Sequence, residues 1–115
     1  MSRDEIQEIS FQMVLHAGNA RSLFIESLRL LISGNDNAEA KKKYDEGAAE
    51  LVEAHKQESL FMAKYGNHEE VEMDIFLVHA NDHLSMATTM QELCCELKPL
   101  IETVNSIKDK VEAAN

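Results

Sequence analysis

The chain has 115 residues, a net charge of −10, 44% hydrophobic residues, one Pro, four Gly and no Trp. That length supports a single domain, residues 1–115, and the scarcity of helix breakers and of β-branched clusters points to an all-α fold. The acid excess argues against nucleic acid and anionic lipid, both of which are bound through surplus Lys and Arg, and favours a partner with a basic or apolar face.

Residues Ser2-Arg3-Asp4-Glu5 have the S-x-x-E form of a capping box. Apolar residues then recur at helical spacing through Ile6, Ile9, Met13, Ala17, Ala20, Phe24, Leu28 and Leu31, which predicts a first helix over about 3–33. A second set, Phe11, Leu15, Gly18, Ser22, Ile25 and Ile32, lies off that face, so this helix buries more than one side. Gly18 weakens the helix, which is explicable if another backbone comes close there. Gly34-Asn35-Asp36-Asn37 reads as a turn, with Asp36 three residues before Glu39 as in an N-cap.

A second helix follows over about 37–65, with core positions expected at Tyr44, Ala48, Leu51, His55, Ser59 and Met62. Lys41-Lys42-Lys43 near its start reads as a solvated face. Gly66 and Asn67 break the pattern, and Asn67 followed by Glu69 and Glu70 suggests the cap and acidic first turn of a third helix over about 70–112. Pro99 should kink or break that helix, and the end should fray beyond about 108. Cys94 and Cys95 are adjacent on helical spacing, so their side chains diverge and they read as reduced packing residues.

The third helix has two stripes. One carries Met73, Leu77, Ala80, Leu84, Thr88 and Cys95; the other runs from His79, Asp82 and His83 through Met86, Met90, Leu93, Leu97, Leu100 and Val104. Three helices cannot cover both, so one stripe is left for self-association or a permanent partner. No apolar run approaches the about 20 residues of a membrane span, and the first residues lack the apolar core of a signal peptide, so the cytoplasm is the expected location.

The three polar residues on the second stripe carry the chemistry. A neutral imidazole is a nucleophile near pH 7, so His79 is a candidate phosphoryl acceptor and His83, one turn on, a hydrogen-bond donor to the group it holds. Asp82 would repel a dianionic phosphoryl group unless it pointed elsewhere. Three copies around an axis through this stripe would bring three Asp82 carboxylates together, needing protons or a hard cation between them. Two plainer readings stand beside this: a zinc site from the H-x3-H pair, for which HExxH and a third ligand are missing, and a polar layer that only fixes helix register.

Val78-His79-Ala80-Asn81-Asp82-His83-Leu84, taken with Ala17-Gly18-Asn19-Ala20-Arg21-Ser22, Gly34-Asn35-Asp36 and Glu53-Ala54-His55 in that order, resembles the lactose/cellobiose-type IIA components of the bacterial sugar phosphotransferase system, chitobiose-type proteins included. The resemblance spans nearly the whole chain. It implies a three-helix antiparallel bundle per subunit, associated as a homotrimer into a nine-helix bundle. It also implies that His79 accepts a phosphoryl group from the phosphocarrier protein HPr and passes it to a cysteine of a IIB component, with IIC in the membrane completing uptake of a β-disaccharide of the lactose, cellobiose or chitobiose class. His83 would assist, and Asp82 from three subunits would bind Mg2+ on the threefold axis.

The chain departs from the family pattern at Asn81, a possible phosphoryl contact where the family has Gln, at Ser85-Met86, and at Glu58-Ser59. The alternatives are a histidine-phosphotransfer domain of a signalling relay, in which Lys and Gly normally follow the histidine, and a non-catalytic helical adaptor.

Overall fold

The computed structural model describes residues 1–68 and 70–115. The described residues form three helices and no strands: α1 (Arg3–Ser33), α2 (Asn37–Gly66) and α3 (Ile75–Ala114). They run up, down and up. Ser27 Oγ near the end of α1 donates to the Ala40 carbonyl near the start of α2 at 2.7 Å, and Lys64 at the end of α2 reaches Glu5 at the start of α1. Asn105 of α3 donates to the Leu31 carbonyl of α1 at 2.8 Å, so these two helices run the same way.

The first two helices begin and the first ends where the sequence signals lie. Ser2 accepts the Glu5 N–H at 3.2 Å, and Asp36 accepts that of Glu39 at 2.9 Å. Each satisfies one of the amide donors a helix start leaves free. Gly34 closes α1 in the left-handed conformation, φ 71°, and its N–H reaches the carbonyls of Leu30 and Leu31; only glycine adopts that backbone without a steric penalty.

The third helix departs from expectation at both ends. It starts at Ile75, not near residue 70, because Asp74 takes the N-cap position and accepts the Phe76 N–H at 2.7 Å. Asn67 instead ends α2, its N–H bonded back to Ala63 and Lys64. Of the two acids expected in the first turn, Glu70 precedes the helix and Glu69 lies outside the described residues. At the far end α3 passes through Pro99 without a break and continues to Ala114, where fraying beyond about 108 had been expected.

The core follows the first stripe of α1: Ile6, Ile9, Met13, Ala17, Ala20, Phe24 and Leu31 are buried, with Leu28 partly covered. On α2 the buried face is Ala40, Gly47, Leu51 and Ala54, with Tyr44 and Phe61 packed beside it. Leu51 is as expected, whereas His55, Ser59 and Met62 are exposed. Backbone proximity explains the shift: a Cβ on Gly47 would sit 2.9 Å from the Phe24 ring and 3.3 Å from the Ala20 carbonyl oxygen. Small residues therefore face α1 along this seam, and the larger side chains one position away turn outward. The close approach lies at Gly47 and not at Gly18, around which the subunit leaves open space.

The stripe of α3 buried within the subunit is Leu77, Ala80, Leu84, Ala87 and Cys94. The other stripe is uncovered: Met86, Leu93, Leu97, Leu100 and Val104 are 36–59% exposed. Phe11, Leu15 and Ile32 of the second α1 set are exposed as well. Both cysteines are free, Cys94 buried and Cys95 exposed.

Candidate functional site

The two histidines meet. His79 and His83 lie one turn apart on α3, with Nε2 to Nε2 at 3.1 Å and the rings edge to face at 4.5 Å between centroids. A contact of that length needs one ring to present Nε2–H and the other a lone pair. If His83 donates, its N–H occupies the His79 Nε2 lone pair, and once that lone pair attacks an incoming group the freed His83 N–H stands ready to bond the oxygens of the group that replaces it. His79 is exposed and His83 half-buried, so the pair opens to a partner at the surface.

Asp82 occupies a different direction from the histidines. With about 100° between successive residues of a helix, it falls in line with Leu100 at one edge of the exposed stripe of Met86, Leu93, Leu97, Leu100 and Val104, roughly opposite the buried face, while His79 falls in line with Leu97 at the other edge and His83 beyond it, toward the buried face. Asp82 is itself exposed. The seam that the polar cluster was expected to interrupt is thus an outer face of the subunit, and the carboxylate lies on the side of α3 opposite the buried stripe.

Asn81 points elsewhere. Its side-chain N–H donates to the Leu77 carbonyl at 3.1 Å, one turn back on its own helix. As placed, its amide secures the helix and is turned away from the histidine pair. The other motif segments are partly accounted for by packing: Ala17, Ala20 and Ala54 have no exposed surface, whereas Arg21, Ser22 and His55 lie on the outside, the last 3.8 Å from Glu58.

A polar pair that the sequence reading did not single out joins α1 to α2. His16 Nδ1 lies 2.5 Å from Glu50 Oε2, both half-buried. Its only sequence signal is position, each residue standing one place from a core residue, Ala17 and Leu51. Among the described residues no three His, Cys, Asp or Glu side chains gather to hold a metal ion within one subunit. No helix of the described residues is long and apolar enough to cross a membrane.

Residues 8–102 match the family model described as the lactose/cellobiose-specific IIA subunit of the phosphotransferase system. The chain is 37% identical over 101 residues to the lichenan-specific phosphotransferase enzyme IIA component of Bacillus subtilis, covering 88% of this chain and 91% of that one. It is 32% identical over 102 residues to the lactose-specific EIIA component of Staphylococcus aureus, covering 89% and 95%. Among solved structures, the cellobiose-specific enzyme IIA of Bacillus anthracis superposes with a TM-score of 0.83 at 31% identity, over 92% of this chain and 94% of that one. PtcA of S. mutans gives 0.84 at 31% identity, over 89% and 99%. On sequence and fold together, the chain belongs to the lactose/cellobiose-specific IIA family of the sugar phosphotransferase system.

Proposed function

We propose that this protein is a phosphohistidine carrier, receiving a phosphoryl group from HPr on His79 and passing it to a cysteine of a IIB component, for uptake of a β-linked disaccharide or oligosaccharide through IIC. The observation that carries the reading is the His79–His83 contact at 3.1 Å on an exposed helix face. The His79 Nε2 lone pair forms the new N–P bond as the donor's bond to phosphorus breaks and its electron pair leaves with the donor. The His83 N–H then bonds a phosphoryl oxygen, which holds charge in the transferred group without a covalent role. Return of the group reverses the step, with a thiolate as the attacking atom. The lichenan and lactose labels of its relatives support a β-glycoside substrate class, and the work of such a carrier is done in the cytoplasm.

The working form in this reading is a homotrimer with the exposed α3 stripes around a threefold axis, three subunits making nine helices. Asp82, on the edge of that stripe turned away from the buried face, then meets two copies of itself, while the histidines, at the other edge and beyond, stay open to partners. One carboxylate per chain is too few for a hard cation, but three supply oxygen ligands of the kind Mg2+ takes. The ion would neutralise the converging carboxylates and takes no part in the transfer.

The test is a two-step transfer with purified components. Phosphorylated HPr should load the protein, and the loaded protein should then phosphorylate a IIB component; His79→Ala should abolish both steps. Binding of partners with no transfer by the wild type would identify a helical adaptor instead.

A further inference from the structure

We infer that a cavity among the three helices, at the end of the bundle remote from the histidines, is a binding site for a small organic monoanion. Lys41 and Lys98 take its acid group, and Leu31 and Tyr44 its apolar body. The cavity holds about 290 Å3, at the small end of ligand-sized cavities. Leu31 of α1, Tyr44 of α2 and Cys95 of α3 line it, together with the exposed Lys41, Lys98 and Glu102. Cys95 lies twelve residues beyond His83, about 18 Å along α3, so an occupant does not meet a group held on the histidines.

The face of α3 that packs inside the subunit changes character at this level. Leu77 and Leu84 are buried, and the residues that follow them at seven-residue steps, on the same side of the helix, are Gln91 and Lys98. Cys95 and Glu102 stand beside that line. Apolar side chains at these positions would close the core as Leu77 and Leu84 do. Polar residues in register with a buried stripe contradict the pattern of the fold, and such contradictions collect at functional positions. The first two helices stay joined here, Ser27 Oγ donating to the Ala40 carbonyl at 2.7 Å, so the space belongs to the α2–α3 side. There the Tyr44 hydroxyl lies 3.2 Å from Cys95 Sγ. This face is roughly opposite the exposed stripe of Leu93, Leu97 and Leu100, so association through that stripe does not cover it.

Charge selects the ligand. Two ammonium groups, Lys41 and Lys98, stand against one carboxylate, Glu102, around the cavity, in a chain whose net charge is −10. Lys98 lies 4.0 Å from Glu102 and Lys41 2.7 Å from Asp45, all four side chains more than half exposed. Exposed pairs of this kind are weak, so both lysines readily turn to an acid group held against Leu31 and Tyr44. A single acid group matches the local excess of one positive charge; a second would meet Glu102 and Asp45.

Alkylation of Cys95 reads occupancy, because its thiol lines the cavity. At constant ionic strength, sodium benzoate at about 50 mM should slow the addition of iodoacetamide to Cys95 about sixfold, the protection given by a dissociation constant of about 10 mM. Neutral benzamide should give none. Intact mass measures the rate, and Cys95→Ser, which should take up no group, assigns it. Lys41→Ala/Lys98→Ala should lose the protection, with far-UV circular dichroism as the check on folding, and Glu102→Gln should strengthen it. Slowing of the wild type by less than about twofold, equal protection by benzamide, or protection retained in the double lysine variant overturns the inference. If the double variant does not fold, Glu102→Gln decides, and protection there no stronger than in the wild type overturns the inference as well.

Discussion

Gly47→Ala places two opposed effects on one atom. Alanine stabilises a helix interior by about 1 kcal/mol relative to glycine. The added Cβ, however, would lie 2.9 and 3.0 Å from two carbons of the Phe24 ring and 3.3 Å from the Ala20 carbonyl oxygen. That ring has no exposed surface and rests against Tyr44 at 5.4 Å between centroids, so it cannot retreat without displacing a second aromatic. Overpacking of this kind costs about 2 kcal/mol, within a range of roughly 1–3. The net expectation is a loss of about 1 kcal/mol, or about 4 °C in Tm for a domain of this size. Phe24→Leu removes the ring edge, and in that background Gly47→Ala should turn favourable by up to about 1 kcal/mol, a coupling of about 2 kcal/mol. Urea denaturation of the four proteins measures the cycle. A Gly47→Ala protein as stable as its parent, or the same change in both backgrounds, would refute the claim that the α1–α2 spacing is set at this glycine.

Other consequences follow from single contacts. Asn105→Ala removes the bond to the Leu31 carbonyl and should lower stability by about 1 kcal/mol in urea; no change would mean that α3 is not anchored there. Burial pushes the Cys94 thiol up to about 11 from an ordinary 9.0, while Cys95 is exposed beside the Tyr44 hydroxyl. Iodoacetamide at pH 8 should therefore add one group to the native protein and two in urea, read by intact mass, and two additions to the native protein would contradict the burial of Cys94. Because folding raises that thiol's pKa, its contribution to stability is complete below about pH 9 and declines as pH rises toward 11. In the homotrimer proposed above, Asp82→Leu should strengthen association, since it would replace three converging carboxylates with apolar surface; a monomeric Asp82→Leu protein beside a trimeric wild type by sedimentation would show the carboxylate to be a required contact.

Much of the fold is legible in the sequence because its signals are local. Ser2, Gly34 and Asp36 each act on a backbone group three or four residues away, and α1 spans the residues that its stripe predicts. The buried face of α2 was misplaced by about one position because Gly47 and Ala54 carry little hydrophobic signal, and their value lies in how closely α1 approaches. The start of α3 was set too early because Asn67 and Asp74 are both able caps, and the choice depends on where α2 ends. Pro99 reads as a breaker, yet it lies on an exposed turn of α3 and the helix continues past it. At the candidate site, i and i+4 spacing was enough to bring His79 and His83 together. Asp82 stands about 60° round the helix from His79 and about 100° from His83, on the side away from the buried face, a distinction that emerges once the other face of α3 is seen to be buried. Nor does spacing reveal that Asn81 bonds back to Leu77.

The most direct measurement is the intact mass of the protein after incubation with phosphoenolpyruvate, enzyme I and HPr, beside His79→Ala and His83→Ala. The account predicts one acid-labile phosphoryl group per wild-type chain, none on His79→Ala, and slower loading of His83→Ala. A phosphoryl group retained on His79→Ala, or no gain of mass on the wild type, would contradict it.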